Sequence, residues 1–223
     1  MRIVLRLTAT SLIVTFVGAL AGAGPGTAGP PPVVARSIYV VQPDPRLCPS
    51  PLCGGYWVSR ANHARTRCDD DQLRPRCYVA VAVSTLTRKP LTAGLPANAL
   101  VRAVIGSWAF EGFGELGAVF VAEAWGPVGP EPSTGDFVCL RDIGVRCVRA
   151  PCFSFRAWRL NRPYRVTVSD VDLGPARSTP ETLQRAEAAL TTPGGLLASG
   201  DISRTADGGR VFRASQVFLR SER

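Results

Sequence analysis

One histidine and one lysine in 223 residues set the first limits on this chain. The single imidazole, His63, excludes two-histidine metal sites and leaves any Ser-His-Asp or Cys-His scheme resting on one side chain. Gly-x-Ser-x-Gly, His-Glu-x-x-His and a phosphate-cradling glycine loop are all missing. Asp69-Asp70-Asp71 lacks the alternate-position oxygen spacing of a calcium loop and reads as a solvated turn. Glu111, Glu115 and Glu123, near Trp108 and Phe110, could supply the carboxylate pair of a sugar hydrolase, but the second half of the chain has no counterparts. The expectation is a chain with no catalytic residue, no metal and no cofactor. Lysine is confined to Lys89, so the positive excess, 26 basic against 17 acidic side chains, is carried by arginine. No long apolar run follows the first 20 residues, so nothing beyond them reads as a membrane span.

The amino-terminal residues have the pattern of an export signal. Arg2 and Arg6 precede a charge-free stretch from Leu7 to Leu20, and Ala19-Leu20-Ala21 offers a small-residue cleavage site. The reading is a signal peptide over 1–21, a Gly/Ala/Pro leader over 22–36, and a secreted or periplasmic protein. Cleavage would leave 24 basic against 17 acidic side chains, a net +7.

Seven cysteines are present, and two pairs repeat. Cys48 and Cys53 precede Arg60 and Asn62; Cys147 and Cys152 precede Arg159 and Asn161 at the same spacing, 99 residues on. Near the carboxyl end Gly117, Val119, Phe120 and Ala122 match Gly209, Val211, Phe212 and Ala214. An internal duplication follows, with repeat one at 37–125, a Pro/Gly linker at 126–136 and repeat two at 137–223. In an oxidising compartment the thiols pair. Six cysteines allow about 15 connectivities, and the repeat favours Cys48–Cys53 and Cys147–Cys152, leaving Cys68 with Cys77. A four-cysteine zinc site in repeat one is the alternative, although repeat two lacks two of its ligands. Cys139 aligns with Val40 and reads as a free, small core residue.

Each repeat reads as β-β-β-α-β-β. Ile38 to Val41 and Phe137 to Leu140 suggest first strands, and alternation from Tyr56 and from Phe153 suggests second strands. Tyr78 to Val83 and Tyr164 to Val168 suggest third strands. Ser178-Thr179-Pro180-Glu181 begins a helix stopped by Gly194-Gly195, whereas its counterpart, Leu91 to Leu100, is interrupted by Gly94 and Pro96 and should be shorter or irregular. The expected fold is mainly β with one helix per repeat, as two tandem OB-like five-stranded barrels in preference to an open sheet plus helix.

Two kinds of binding residue stand out. From Arg141 to Arg165 there are seven arginines, including Arg149, Arg156, Arg159 and Arg165, and one acid, Asp142; such a field attracts anionic polymers. Arg60 with Asn62, and Arg159 with Asn161, could bind an anion, or could support the fold, with Asn tying its own strand exit. His63 reads as a turn residue.

Cys53-Gly54-Gly55-Tyr56-Trp57-Val58, Cys77-Tyr78-Val79-Ala80, Leu116-Gly117 through Glu123-Ala124-Trp125, and Arg146 through Cys152 carry a resemblance. Over nearly the whole mature length the chain resembles an uncharacterised family of predicted secreted bacterial proteins, common in myxobacteria and known only as a domain of unknown function. The resemblance implies an exported, cysteine-clamped two-part domain and brings no activity or substrate; Cys139 lies outside the shared pattern. The resulting expectation is a non-catalytic binding or inhibitory module, engaging a protein partner through the clamped loops, with Arg149 offered to a trypsin-like pocket. The alternative is attachment to an anionic polymer, a cell-surface polysaccharide or extracellular DNA, through the repeat-two arginines. An enzyme ranks last.

Overall fold

Residues 37–220 are described by the computed structural model. The signal and leader expected over 1–36 lie outside the described residues. Strands dominate. β1 (Ser37–Pro43), β2 (Tyr56–Arg60), β3 (Thr66–Arg67), β4 (Leu73–Arg74), β5 (Cys77–Val79), β6 (Val81–Ser84), β7 (Ala99–Phe110) and β8 (Gly114–Val128) form the first half. β9 (Asp136–Asp142), β10 (Phe155–Arg159), β11 (Arg165–Val168), β12 (Asp170–Asp172), α1 (Pro180–Leu190), β13 (Leu196–Arg204) and β14 (Arg210–Arg220) form the second.

All but β3 and β4 join one twelve-stranded sheet, mostly antiparallel, ordered β11-β10-β9-β13-β14-β8-β7-β1-β2-β5. Outward from its centre the order is β8-β7-β1-β2-β5 on one side and β14-β13-β9-β10-β11 on the other. Two short strands pair parallel off this path, β6 on β8 and β12 on β14. The first continues β5 past Ala80, whose amide donates to Gly117 O at 2.7 Å. Gly117 allows that approach, since a Cβ there would stand 2.7 Å from Tyr78 O.

The expected pair of OB-like five-stranded barrels, each with its own helix, is therefore corrected. The sheet is continuous across both halves, and its terminal strands β11 and β5 do not pair with each other. The cause lies in β8. Its last residues, Trp125 to Val128, pair antiparallel with Arg220 to Val217 of β14, so the edge of each half is satisfied by the other half. Residues 126–128 of the Pro/Gly segment thus belong to a strand. Among the described residues α1 is the only α-helix, because Gly94 (φ +66°) and Pro96 leave turns in the corresponding stretch of the first half.

α1 forms where its cap predicts. Thr179 Oγ1 accepts from the Thr182 amide at 3.3 Å, Pro180 occupies the first turn, and Ala186 and Leu190, four apart, are buried. The chain leaves it through Gly195 at φ +68°, where a Cβ would press on Leu140 O at 2.6 Å.

Four apolar clusters hold the fold, the smallest being Val83, Ala118 and Phe120 with Val81 and Trp108 against them. Val41, Val58, Val101 and Val119 centre the first half; Leu140, Leu196, Phe212 and Val217 centre the second with α1 against them. The third takes Ile38, Ala61 and Leu100 from the first half and Leu160, Leu197 and Phe218 from the second. It fills the junction, so the two halves share a core.

Candidate functional site

The arginine-rich run of the second half resolves into separate environments once strand register is known. Arg156 lies opposite Arg141 of β9 and Thr167 of β11; Trp158 lies opposite Cys139 and Arg165. Alternate strand residues share a face. Arg141, Arg156, Arg165 and Trp158 therefore share the outer face, while Val138, Leu140, Ala157 and Val168 fill the interior. The Arg156 guanidinium sits 5.7 Å from the Trp158 ring centroid, and Arg141 donates to Pro193 O at 3.4 Å. None of the three arginines forms an ion pair among the described residues. Like charges set directly opposite on neighbouring strands destabilise a sheet. Arg141 and Arg156 stand in that relation, beside the free edge strand β11.

The other arginines of the run are engaged or displaced. Arg159 has the opposite parity, pairs with Asp136 and lies over the Tyr164 ring. Arg146 binds Asp142 through two hydrogen bonds, and Arg162 Nε donates to Asn62 O at 3.1 Å. The Arg146 guanidinium holds the Asp142 carboxyl below the usual carboxylate range. Arg149 is exposed in the loop closed by Cys147–Cys152. Of the arginines expected to bind, the structure brings Arg156 and Arg165 together and sets Arg149 and Arg159 apart from them. Arg141, which opens the basic run, joins them through its register opposite Arg156.

Asn62 and Asn161 do something neither expectation described. Asn62 Nδ2 donates to Phe137 O at 2.7 Å and Leu160 O at 3.0 Å, and its Oδ1 accepts from the Phe137 amide at 2.9 Å. Asn161 makes the reciprocal set, with Ile38 O, Ala61 O and the Ile38 amide at 2.7, 3.0 and 2.9 Å. Each amide group binds both polar backbone groups of one residue across the junction, as a neighbouring strand would. Left-handed backbone, φ 59° and 58°, aims both side chains there, a conformation asparagine tolerates. His63 Nε2 lies 3.1 Å from Asn161 O and completes the clasp. Arg60 donates its backbone amide to Thr66 Oγ1 at 2.8 Å, while its Nε is buried without a partner. The position matching Asp136 is Ser37, so Arg60 lacks the acid that Arg159 has.

Disulfides join Cys48–Cys53, Cys68–Cys77 and Cys147–Cys152, with Cα separations of 5.4, 5.4 and 5.5 Å. Cys68–Cys77 closes the β3–β4 hairpin. A protease cleft takes an extended segment; six extended residues span about 16 Å, whereas Cys147 and Cys152 lie 5.5 Å apart. The second clamp therefore does not present Arg149 in an extended run. Cys139 is free and half-buried against the junction cluster; its thiol donates to Gly194 O at 3.3 Å, and burial pushes it up from the ordinary thiol range.

The model of the family described as Domain of unknown function (DUF6748) matches residues 37–223, and the chain belongs to that family. No curated protein and no solved structure matches it.

Proposed function

We propose that this member of the family is an exported bacterial binding protein without catalytic activity, built by duplication of a β module, which holds an anionic polymer on the outer face of β9, β10 and β11. The observation that carries the reading is the set Arg141, Arg156 and Arg165, placed on one face with Trp158 and without acidic partners among the described residues. Guanidinium groups match phosphate and sulfate oxygens in pairs. An aromatic ring beside them offers a stacking surface for a base or a sugar. Three disulfides accord with folding in an oxidising compartment. Duplication is supported by the matching strand order on both sides of the β8–β14 seam and by the reciprocal asparagine clasp.

The test is retention on immobilised single-stranded DNA and on heparin across a salt series. Wild-type protein binds both, with a log–log salt slope near −2 for the single strand if three phosphates are neutralised. Arg141→Ser/Arg156→Ser/Arg165→Ser loses most of that retention. Arg159→Ser keeps it, because that side chain faces Asp136. Equal retention by wild type and the triple variant would contradict the reading. A protein partner at the clamped loops is a second reading, favoured by the full exposure of Leu47 beside Cys48 and Val148 beside Cys147.

A further inference from the structure

A cavity of about 1170 Å³ opens on the seam between β8 and β14 and takes its walls from both halves. This is slightly above the roughly 300–1,000 Å³ of ordinary small-molecule sites. Its floor is the shared cluster, chiefly Ile38, Leu160, Leu197 and Phe218. Trp125 forms one wall, and the loop carrying Pro193 and Gly194 forms another beside the Cys139 thiol. A charged group marks one side. Arg102 Nε donates to Glu123 Oε2 at 2.7 Å, and Arg220 pairs with the other oxygen of the same carboxylate. The Arg102 guanidinium also lies 5.7 Å from the Trp125 ring centroid.

Two cations share one carboxylate there, which leaves an excess positive charge beside an apolar floor. A guanidinium has five N–H donors. Glu123 takes one from Arg102 and one from Arg220, and among the described residues no other hydrogen bond engages the remaining donors of either side chain. Arg220 is 70% exposed and Arg102 39%, so both reach solvent while the floor does not.

We propose that this cavity binds a single-chain amphiphile with an anionic headgroup, its chain on the junction floor and its headgroup on Arg102 and Arg220. Two acceptor oxygens on a carboxylate or phosphate fit the fork of a guanidinium, and Glu123 takes only one N–H from each of these two. The chain contacts the apolar residues by which the two halves share a core. The cavity adjoins the polymer face through Cys139 of β9 and Arg159 of β10, but its headgroup residues Arg102 and Arg220 and its wall Trp125 lie outside β9, β10 and β11, so variants at Arg102 and Arg220 test it separately from those at Arg141, Arg156 and Arg165.

The experiment titrates the protein with dodecanoate and, separately, dodecyl phosphate, each below its micelle concentration. Calorimetry is paired with the rate of Cys139 alkylation by iodoacetamide. One saturable equivalent is expected, with alkylation slowed as the site fills. Uncharged dodecanol and chainless acetate bind at least about tenfold more weakly, and Arg220→Gln weakens the anion by about tenfold. Because Arg220 is mostly exposed, that variant keeps its fold; Arg102→Gln is the second variant. The tighter of the two anions identifies the headgroup source. The proposal is overturned if neither anion saturates, if dodecanol binds as well as both, or if both arginine variants bind like wild type.

Discussion

On the outer face of the first half, Arg46 lies 5.2 Å from the Trp57 ring centroid and 4.8 Å from that of Tyr78, while Arg76 sits 4.5 Å from Trp57. Asp44, its carboxylate fully covered, takes the Arg46 guanidinium and the Trp57 indole N–H. At the corresponding register in the second half, Arg141 and Arg156 stand where the first has Gln42 and Trp57, and Thr167 stands where it has Tyr78. Both faces are rich in arginine, yet they are different objects. In the first, rings and a carboxylate answer the central cation from within the protein. In the second, the cations have one ring and, among the described residues, no acid. One backbone pattern thus carries a stack anchored on a buried carboxylate and a face of unpaired cations, and the difference rests on a few side chains.

The junction is where the two halves behave alike, and the largest effects are expected there. Asn62→Ala and Asn161→Ala each remove three hydrogen bonds and strand polar backbone groups of the other half. Each should cost roughly 2–4 kcal/mol of stability, and the two losses should agree within about 1 kcal/mol, as read from urea midpoints. Unequal losses would break the equivalence of the clasp.

The clamps sharpen the contrast instead. Opening a short loop of this kind costs about 2 kcal/mol in the chain-entropy account. Cys53 and Pro51 are buried, whereas Cys147 is exposed. Cys48→Ala/Cys53→Ala should therefore lower the thermal midpoint more than Cys147→Ala/Cys152→Ala.

A smaller, pH-dependent effect follows from the buried carboxylate of that stack. The hydrogen bond from Arg46 holds the Asp44 carboxyl below the usual carboxylate range. A depressed carboxyl stabilises the folded state above its unfolded value, about 3.9, and that contribution fades as pH falls through the folded value. Asp44→Asn should lower stability at neutral pH and lose less than wild type on acidification below about pH 4.

Much of the local structure was legible in the chain, and the reasons are local. The three disulfides follow from spacing and repetition. Thr179-Pro180-Glu181 announces α1, and the strands fall close to the apolar runs that suggested them. What the chain does not display is pairing between distant segments. Pro127 sits in a segment that reads as a linker, and only its pairing with Phe218 makes it part of the seam. Arg156 and Arg159 are equivalent letters in one basic run until register turns one outward and the other toward Asp136. Asn62 looks like a strand-end residue serving its own backbone, because its partners are 75 and 98 residues away. Those three placements decide the fold's continuity and the position of the candidate site.

The most direct measurement is the salt dependence of single-stranded DNA binding in two single variants, Arg156→Ser on the open face and Arg46→Ser, whose guanidinium Asp44 engages, on the other. The account predicts that Arg156→Ser reduces the slope by about 0.7, the loss of one phosphate contact, and that Arg46→Ser leaves it unchanged. A reduced slope in Arg46→Ser with none in Arg156→Ser would contradict it.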